Sequence, residues 1–286
     1  MLKFFSIPAF AQRVYAEHSV LATGNWYKFK VRSAGMYRID LPFLASLGIN
    51  TASLSSSSIR IFGNGGWMLP EPTNGPKTDD LYENAIQVVD GGDGMLNGTD
   101  YIIFYATGPD RWRKDSVNKS FNHEKHLYSE ESYYYITIGG NGKRVAAAAP
   151  APAPNLTITD FTWQYFHEVD TFNFLSSGRE WFGEEFSGAP GKTRSRTYTV
   201  AMPGTAAGPA LLRSHFVARS FGAASVFNVR INNQPVLQSD IFPVTNGPYD
   251  LYAQSRVSQA SFVTDQPQLS LAIDYTPGSM GSQGWL

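Results

Sequence analysis

The stretch DGGDGMLNGTD, residues 90–100, places Asp90, Asp93, Asn97 and Asp100 within eleven residues. Hard carboxylate and amide oxygens at that density suit Ca2+, so calcium held by Asp90, Asp93 and Asp100 is one expectation. The order is not that of an EF-hand, which runs Asp-x-Asp-x-Asp-Gly and closes on a Glu at its twelfth position. Asp90 and Asp93 stand three apart and no such Glu follows. The competing expectation is a turn, because glycine admits the backbone angles and Asp side chains bond their own backbone. The apolar run YIIFYA follows at once, so a Gly/Asp turn that delivers a strand is the stronger reading.

Three further stretches compete for chemistry. GAPGKT, residues 188–193, has the form of the second half of a phosphate-binding loop. That loop needs a Gly five positions before Gly191, where Phe186 stands, and a helix after it whose amides hold phosphate. RSRTYTV follows and alternates as a strand does, so an ordinary loop is expected. In NHEKH, His123 and His126 are three apart, whereas a zinc-protease helix sets its histidines at i and i+4 around a Glu. The polar run KSFNHEKHLYSEESY reads as a solvated loop. His18, His167 and His215 are scattered, and no Gly-x-Ser-x-Gly elbow presents a serine. SGREWFGEEF, residues 177–186, gathers Arg179, Glu180, Trp181, Glu184 and Glu185. Two carboxylates beside a Trp could flank a glycosidic bond, but strand neighbours point to opposite faces, which would hold Glu184 and Glu185 apart.

The elements that must position these residues follow from composition. The chain has 286 residues, enough for one large or two medium domains. With 42% hydrophobic and 16% charged residues it is globular. Its formal net charge of −1 carries no basic surplus for nucleic acid or an anionic membrane surface. Aromatics at 14%, with 26 Gly and 17 Pro, fit many short strands joined by turns. No cysteine is present, which excludes disulfides, thiolate metal sites and a cysteine nucleophile within these residues.

Residues 1–11 read as the remnant of a secretory signal peptide: Lys3 is followed by apolar FFSIPAFA, and Ala9-Phe10-Ala11 has the small-x-small cleavage pattern. A short buried strand is the competing reading, and RVYAEHSVL, residues 13–21, reads as a fresh strand. No other run approaches the roughly 18 apolar residues of a membrane span. The ending SQGWL, a Trp-Leu straight after a turn, reads as a cut, so a fragment is expected.

NWYKFKV (25–31) alternates as a half-buried strand, and MYRID (36–40) returns after a turn as its hairpin partner. LPFLASLGI is a short helix with Pro42 near its start and Gly48 at its end. SSIRIFGNGGWMLPEP (57–72) reads as strand, Gly-rich turn and second strand. AIQVV and YIIFYA flank the Asp-rich stretch, and YYYITIG closes the first half. RVAAAAPAPAPN (144–155) favours extended polyproline geometry and reads as a linker. Beyond it TWQYFHEVD, RTYTVAM, ALLRSHFVAR, SVFNVRIN, PVLQSDIF, RVSQASFV and LSLAIDY recur as strands. INNQPV sets an Asn-Asn turn between two of them. The fold class is therefore all-β: two β-sandwich or jelly-roll-like domains, 12–150 and 151–286, with at most one or two short helices.

Four stretches in order, IRIFGNGGWMLPEP, VVDGGDGMLNGTDYIIFYATGPDRW, NHEKHLYSEESYYYITIG and SGREWFGEEF, resemble the N-terminal region of the PorU-type sortases of the type IX secretion system. These are gingipain-related cysteine peptidases. The resemblance runs from about Trp26 to the C-terminus. It implies β-rich domains ahead of a caspase-like peptidase domain with a His–Cys dyad, then an immunoglobulin-like domain. It implies a bacterial cell-surface or outer-membrane location, cargo proteins that bear a C-terminal sorting domain, and an outer-membrane barrel partner, PorV. Such sortases cleave the sorting signal and attach cargo to anionic lipopolysaccharide. The dyad needs a thiolate with a His as base; without cysteine no catalytic residue transfers to these positions. The expected role is therefore non-catalytic: to position or shield the chain's own C-terminal peptidase domain and dock outer-membrane partners. The alternative is a surface carbohydrate-binding or adhesion module using Trp26, Trp67, Trp112, Trp163, Trp181 or Trp285, for which a row of coplanar exposed rings would speak; core packing is the competing use of such rings. A hydrolase built on Glu180, Glu184 or Asp100 is the weakest reading.

Overall fold

The computed structural model describes residues 15–176, 178, 180–245 and 247–286. The expected leader at residues 1–11 and Arg179 lie outside the described residues. The chain divides into two compact units, Met1–Asn155 and Leu156–Leu286.

In the first unit, period-two patterning produces β1 (Tyr27–Val31), β2 (Gly35–Asp40), β3 (Ile59–Gly63), β4 (Tyr82–Asn84), β5 (Gln87–Val89), β6 (Tyr101–Ala106), β7 (Arg111–Asp115), β8 (Ser120–Glu124) and β9 (Ser132–Ile138). One sheet runs β1-β9-β3-β4, a second β2-β6-β5, and β7-β8 is a separate hairpin. Alternate residues of both sheets turn inward: Phe29, Ile61, Tyr134 and Ile136 from one, Ile39, Ile102 and Phe104 from the other, all buried. Phe29 meets Phe104 edge-on at 5.9 Å between ring centres. The buried Tyr134 keeps its hydroxyl satisfied by accepting from the Thr107 amide at 2.8 Å. The helix α1 (Leu41–Ser46) starts on Asp40, whose carboxylate accepts from the Phe43 amide at 3.0 Å. It stops at Gly48, whose φ of +87° suits glycine. Residues 143–145 close the unit: the Val145 amide donates to the Ile86 carbonyl at 3.0 Å. Arg144 reaches the Ser56 and Ser57 carbonyls at 2.7 and 2.8 Å and the Ile59 carbonyl at 3.2 Å.

Four local expectations are corrected here. NWYKFKV and MYRID do not form a hairpin: β1 pairs with β9 and β2 with β6, so the turn between them carries the chain from one sheet to the other. The second strand expected after the Gly-Asn-Gly-Gly turn is absent, because Pro70, Pro72 and Pro76 remove ladder donors. Residues 15–24 hold no strand, only a 3-10 turn at Val20–Ala22. The NHEKH stretch is not all loop, since β8 includes His123.

The second unit starts with residues 156–171, which run without strand pairing, so the strand expected at TWQYFHEVD is absent. Then come β10 (Phe172–Asn173), β11 (Trp181–Phe182), β12 (Ser195–Ala201), β13 (Gly208–Arg219), β14 (Ser225–Ile231), β15 (Gln234–Ile241), β16 (Gln254–Thr264), β17 (Gln268–Thr276) and β18 (Gln283–Trp285). One sheet runs β12-β17-β14-β15, another β16-β13-β18, and β10 pairs with β11. Asn232 and Asn233, at φ +50° and +67°, form the tight turn from β14 to β15; both angles match the strand twist. The main core holds Phe186, Phe216, Phe227, Ile273 and Tyr275, with Phe216 and Phe227 stacked at 4.2 Å. Two smaller clusters flank it, one around Phe182, Val217 and Trp285 and one around Val200, Ile231 and Leu269. The chain is thus all-β, with a single short α-helix among the described residues.

Candidate functional site

A gathering of polar side chains lies in the second unit, where residues 183–186 pair with β18 and the residue after it. The Gly183 amide donates to the Leu286 carbonyl at 3.1 Å, and Phe186 and Gly284 exchange two backbone bonds at 2.7 and 2.9 Å. A Cβ on Gly183 would overlap the carbonyl oxygen of Val169, so glycine lets the preceding segment pass this closely. Between these fastened ends sit Glu184 and Glu185. Glu184 has φ +55°, a left-handed conformation that few non-glycine residues adopt. The backbone there does not alternate as a strand, and both carboxylates line one cavity of about 350 Å3. The expectation that they are held apart is therefore corrected.

Each carboxylate has its own partners. Glu184 Oε2 accepts from the Tyr198 hydroxyl at 2.8 Å and lies 3.0 Å from His167 Nε2. Burial, then the hydrogen bond to Glu184, pushes the Tyr198 phenol up. Glu185 meets Lys192 Nζ at 2.9 Å, Gln283 Nε2 at 2.9 Å and Ser187 Oγ at 3.1 Å. Burial alone would raise the Glu185 carboxyl; these three donors outweigh it and hold it below the ordinary range. Lys192 is the lysine of GAPGKT, and its partner is a carboxylate. That loop leads directly into β12 and not into a helix. Arg196 Nη2 donates to the Glu185 carbonyl at 3.1 Å, while its Nε is buried with no acceptor among the described residues. The cavity wall is completed by Phe172, 43% exposed, whose ring lies 5.8 Å from that of buried Trp285 at an interplanar angle of 11°.

The other sequence candidates disperse. In the 90–100 loop each carboxylate accepts from loop backbone: Asp90 from Gly92 at 3.1 Å, Asp93 from Met95 at 2.8 Å and Asp100 from Asn97 at 2.8 Å. The Asn97 side chain donates to Asp93 at 3.0 Å. Among the described residues no group of three or more His, Asp or Glu side chains is gathered as a metal site, and calcium on Asp90, Asp93 and Asp100 remains an expectation to be tested. The loop joins antiparallel β5 and β6. His126 Nδ1 accepts from the amides of Tyr128 and Ser129 at 3.1 and 3.0 Å, and burial lowers its pKa below the usual histidine value. His123 packs edge-on to Trp112 at 4.9 Å. Glu180 is exposed. Of the tryptophans, Trp112, Trp163 and Trp181 are exposed. Trp163 lies 5.9 Å from the exposed Tyr165 with the rings 14° from parallel. In the first unit a groove of about 730 Å3 runs along the Pro-rich loop, where the Arg111 guanidinium sits 4.0 Å over the Trp67 ring.

No protein-family model matches the chain, and no curated protein matches it. Among solved structures the chain is similar to PorU from Porphyromonas gingivalis, crystallised as the dimeric latent protein, with a TM-score of 0.73 at 22% identity. The likeness covers 95% of this chain and 24% of that one, so the chain spans about a quarter of the length of that protein. At this identity the likeness is one of fold.

Proposed function

We propose that these residues form the N-terminal, non-catalytic region of a PorU-type cell-surface sortase. The observation that carries the reading is the fold likeness over 95% of the chain to only 24% of PorU. The absence of cysteine accords with it, because a thiolate nucleophile would have to come from sequence beyond these residues. In this reading the two β units position or shield a peptidase domain and dock an outer-membrane partner of the PorV type, at the surface of an exported protein. No helix among the described residues is long and apolar enough to cross a membrane.

The test is the reading frame past the codon for Leu286, followed by affinity capture of PorV from solubilised outer membranes with the purified chain. A downstream domain that pairs a His with a Cys, and capture of PorV, are expected. A stop codon directly after Leu286 overturns the sortase reading. Failure to capture PorV removes the docking role.

A further inference from the structure

The cavity beside Glu184 and Glu185 has a composition that selects for one ligand chemistry. Its lining carries two carboxylates, Glu184 and Glu185, and two cations, Lys192 and Arg196, so its formal charge cancels. An anionic ligand would lie against the carboxylates and a cationic one against the bases, and each contact is unfavourable at close range. An uncharged polyol meets neither penalty. A hydroxyl both donates and accepts, so it can give to a carboxylate and take from the Lys192 ammonium or from Thr171.

The rest of the lining includes two aromatic rings, Phe172 and Trp285. The Phe172 ring is backed by Trp285 nearly in parallel, which fixes its plane, and 43% of Phe172 remains exposed. A pyranose has this same division, with axial C–H groups on one face and hydroxyls round the rim. The volume, about 350 Å3, is at the small end of ligand pockets and has room for one sugar ring rather than a folded oligomer. The left-handed backbone at Glu184 adds a constraint of the kind that functional sites retain.

We propose that this cavity binds one neutral hexopyranose unit, with its C–H face on Phe172 and its hydroxyls shared between Glu185 and Lys192. The proposal does not rest on the sortase reading. The purified chain is titrated with methyl mannoside, methyl galactoside and N-acetylglucosamine, and with galacturonate and glucosamine as charged comparators. Binding is read by saturation-transfer NMR and calorimetry. At least one neutral sugar is expected to saturate in the range of about 0.1–10 mM and to bind more tightly than both charged comparators. Phe172→Ala is expected to weaken it about tenfold, and Lys192→Ala, at an exposed surface position, about threefold. Circular dichroism checks that each variant is folded. No saturable binding by any neutral sugar, preference for a charged comparator, or unchanged affinity in both folded variants overturns the proposal. If Phe172→Ala does not fold, Lys192→Ala decides alone.

Discussion

The two units use the same antiparallel strands but place their polar groups differently. The first closes a single continuous apolar core across two sheets, with the Tyr134 hydroxyl tied to Thr107 inside it. Its ion pairs, such as Lys30–Glu131 and Arg111–Glu124, join an exposed cation to a half-buried carboxylate along paired strands, away from that core. The second breaks its core into three clusters and sets Glu184, Glu185, Lys192 and Arg196 around a cavity beside β18. A continuous core serves stability, whereas a cavity lined by paired charges forgoes packing and desolvates polar groups. That contrast is why the second unit, and not the Asp-rich loop of the first, holds the better candidate for ligand chemistry.

The comparison can be broken most forcefully through the cores. Phe104→Ala in the first unit and Phe227→Ala in the second should each cost about 3–5 kcal/mol in urea unfolding. A loss under about 1 kcal/mol for either would mean that its core is not the packed one described. Next come two phenols, the buried Tyr134 and the half-buried Tyr198. Tyr134→Phe leaves the Thr107 amide without its acceptor and should cost about 1–3 kcal/mol, while Tyr198→Phe should cost about 0.5–1.5 kcal/mol because Glu184 keeps His167. A larger loss at Tyr198 would reverse the ranking of the two units.

Smaller effects test the surfaces. Hydrogen bonds from Lys30 first, then Arg32 and Tyr133, hold the Glu131 carboxyl at about 2, below its usual 4.5. A carboxyl depressed in the folded state stabilises it above the unfolded value, and that contribution is lost as pH falls from 4.5 towards 2. Urea midpoints measured across that window should fall less steeply in Glu131→Gln than in the natural sequence; parallel curves would show the ion pairs to be inert. Smallest of all, calorimetric Ca2+ titration should give equal heats for the natural chain and Asp93→Ala, since Asp93 already accepts from Met95 and Asn97. A heat lost in the variant would restore a calcium site to the first unit.

Much of the architecture was legible because alternation is local. YIIFYA, SVFNVRIN and the Asn-Asn turn declare themselves within a few residues, and the structure places a strand or a turn at each. Pairing was not legible: Tyr27 lies opposite Ile136, and nothing in NWYKFKV points that far along the chain. TWQYFHEVD carries a strand's pattern but is not paired in a sheet, because pattern records preference and not pairing. β8 was hidden because Phe121 is its one apolar residue, and β18 because three residues are too short for a period. The cavity was half legible. SGREWFGEEF advertised its carboxylates, but their convergence depends on a left-handed Glu184 that no residue type announces. Its cations came from GAPGKT and RSRTYTV, stretches read for other reasons.

The clasp at Arg144 has a mechanical consequence. The Ala-Pro run begins just after it, so tension applied along that run arrives first at residues 144 and 145. There the load divides among the carbonyls of Ser56, Ser57, Ile59 and Ile86. Ile86 and Arg144 form a parallel bridge, so these bonds are sheared together and not peeled one at a time. Pulling through the trailing end of the first unit is therefore met by several bonds at once.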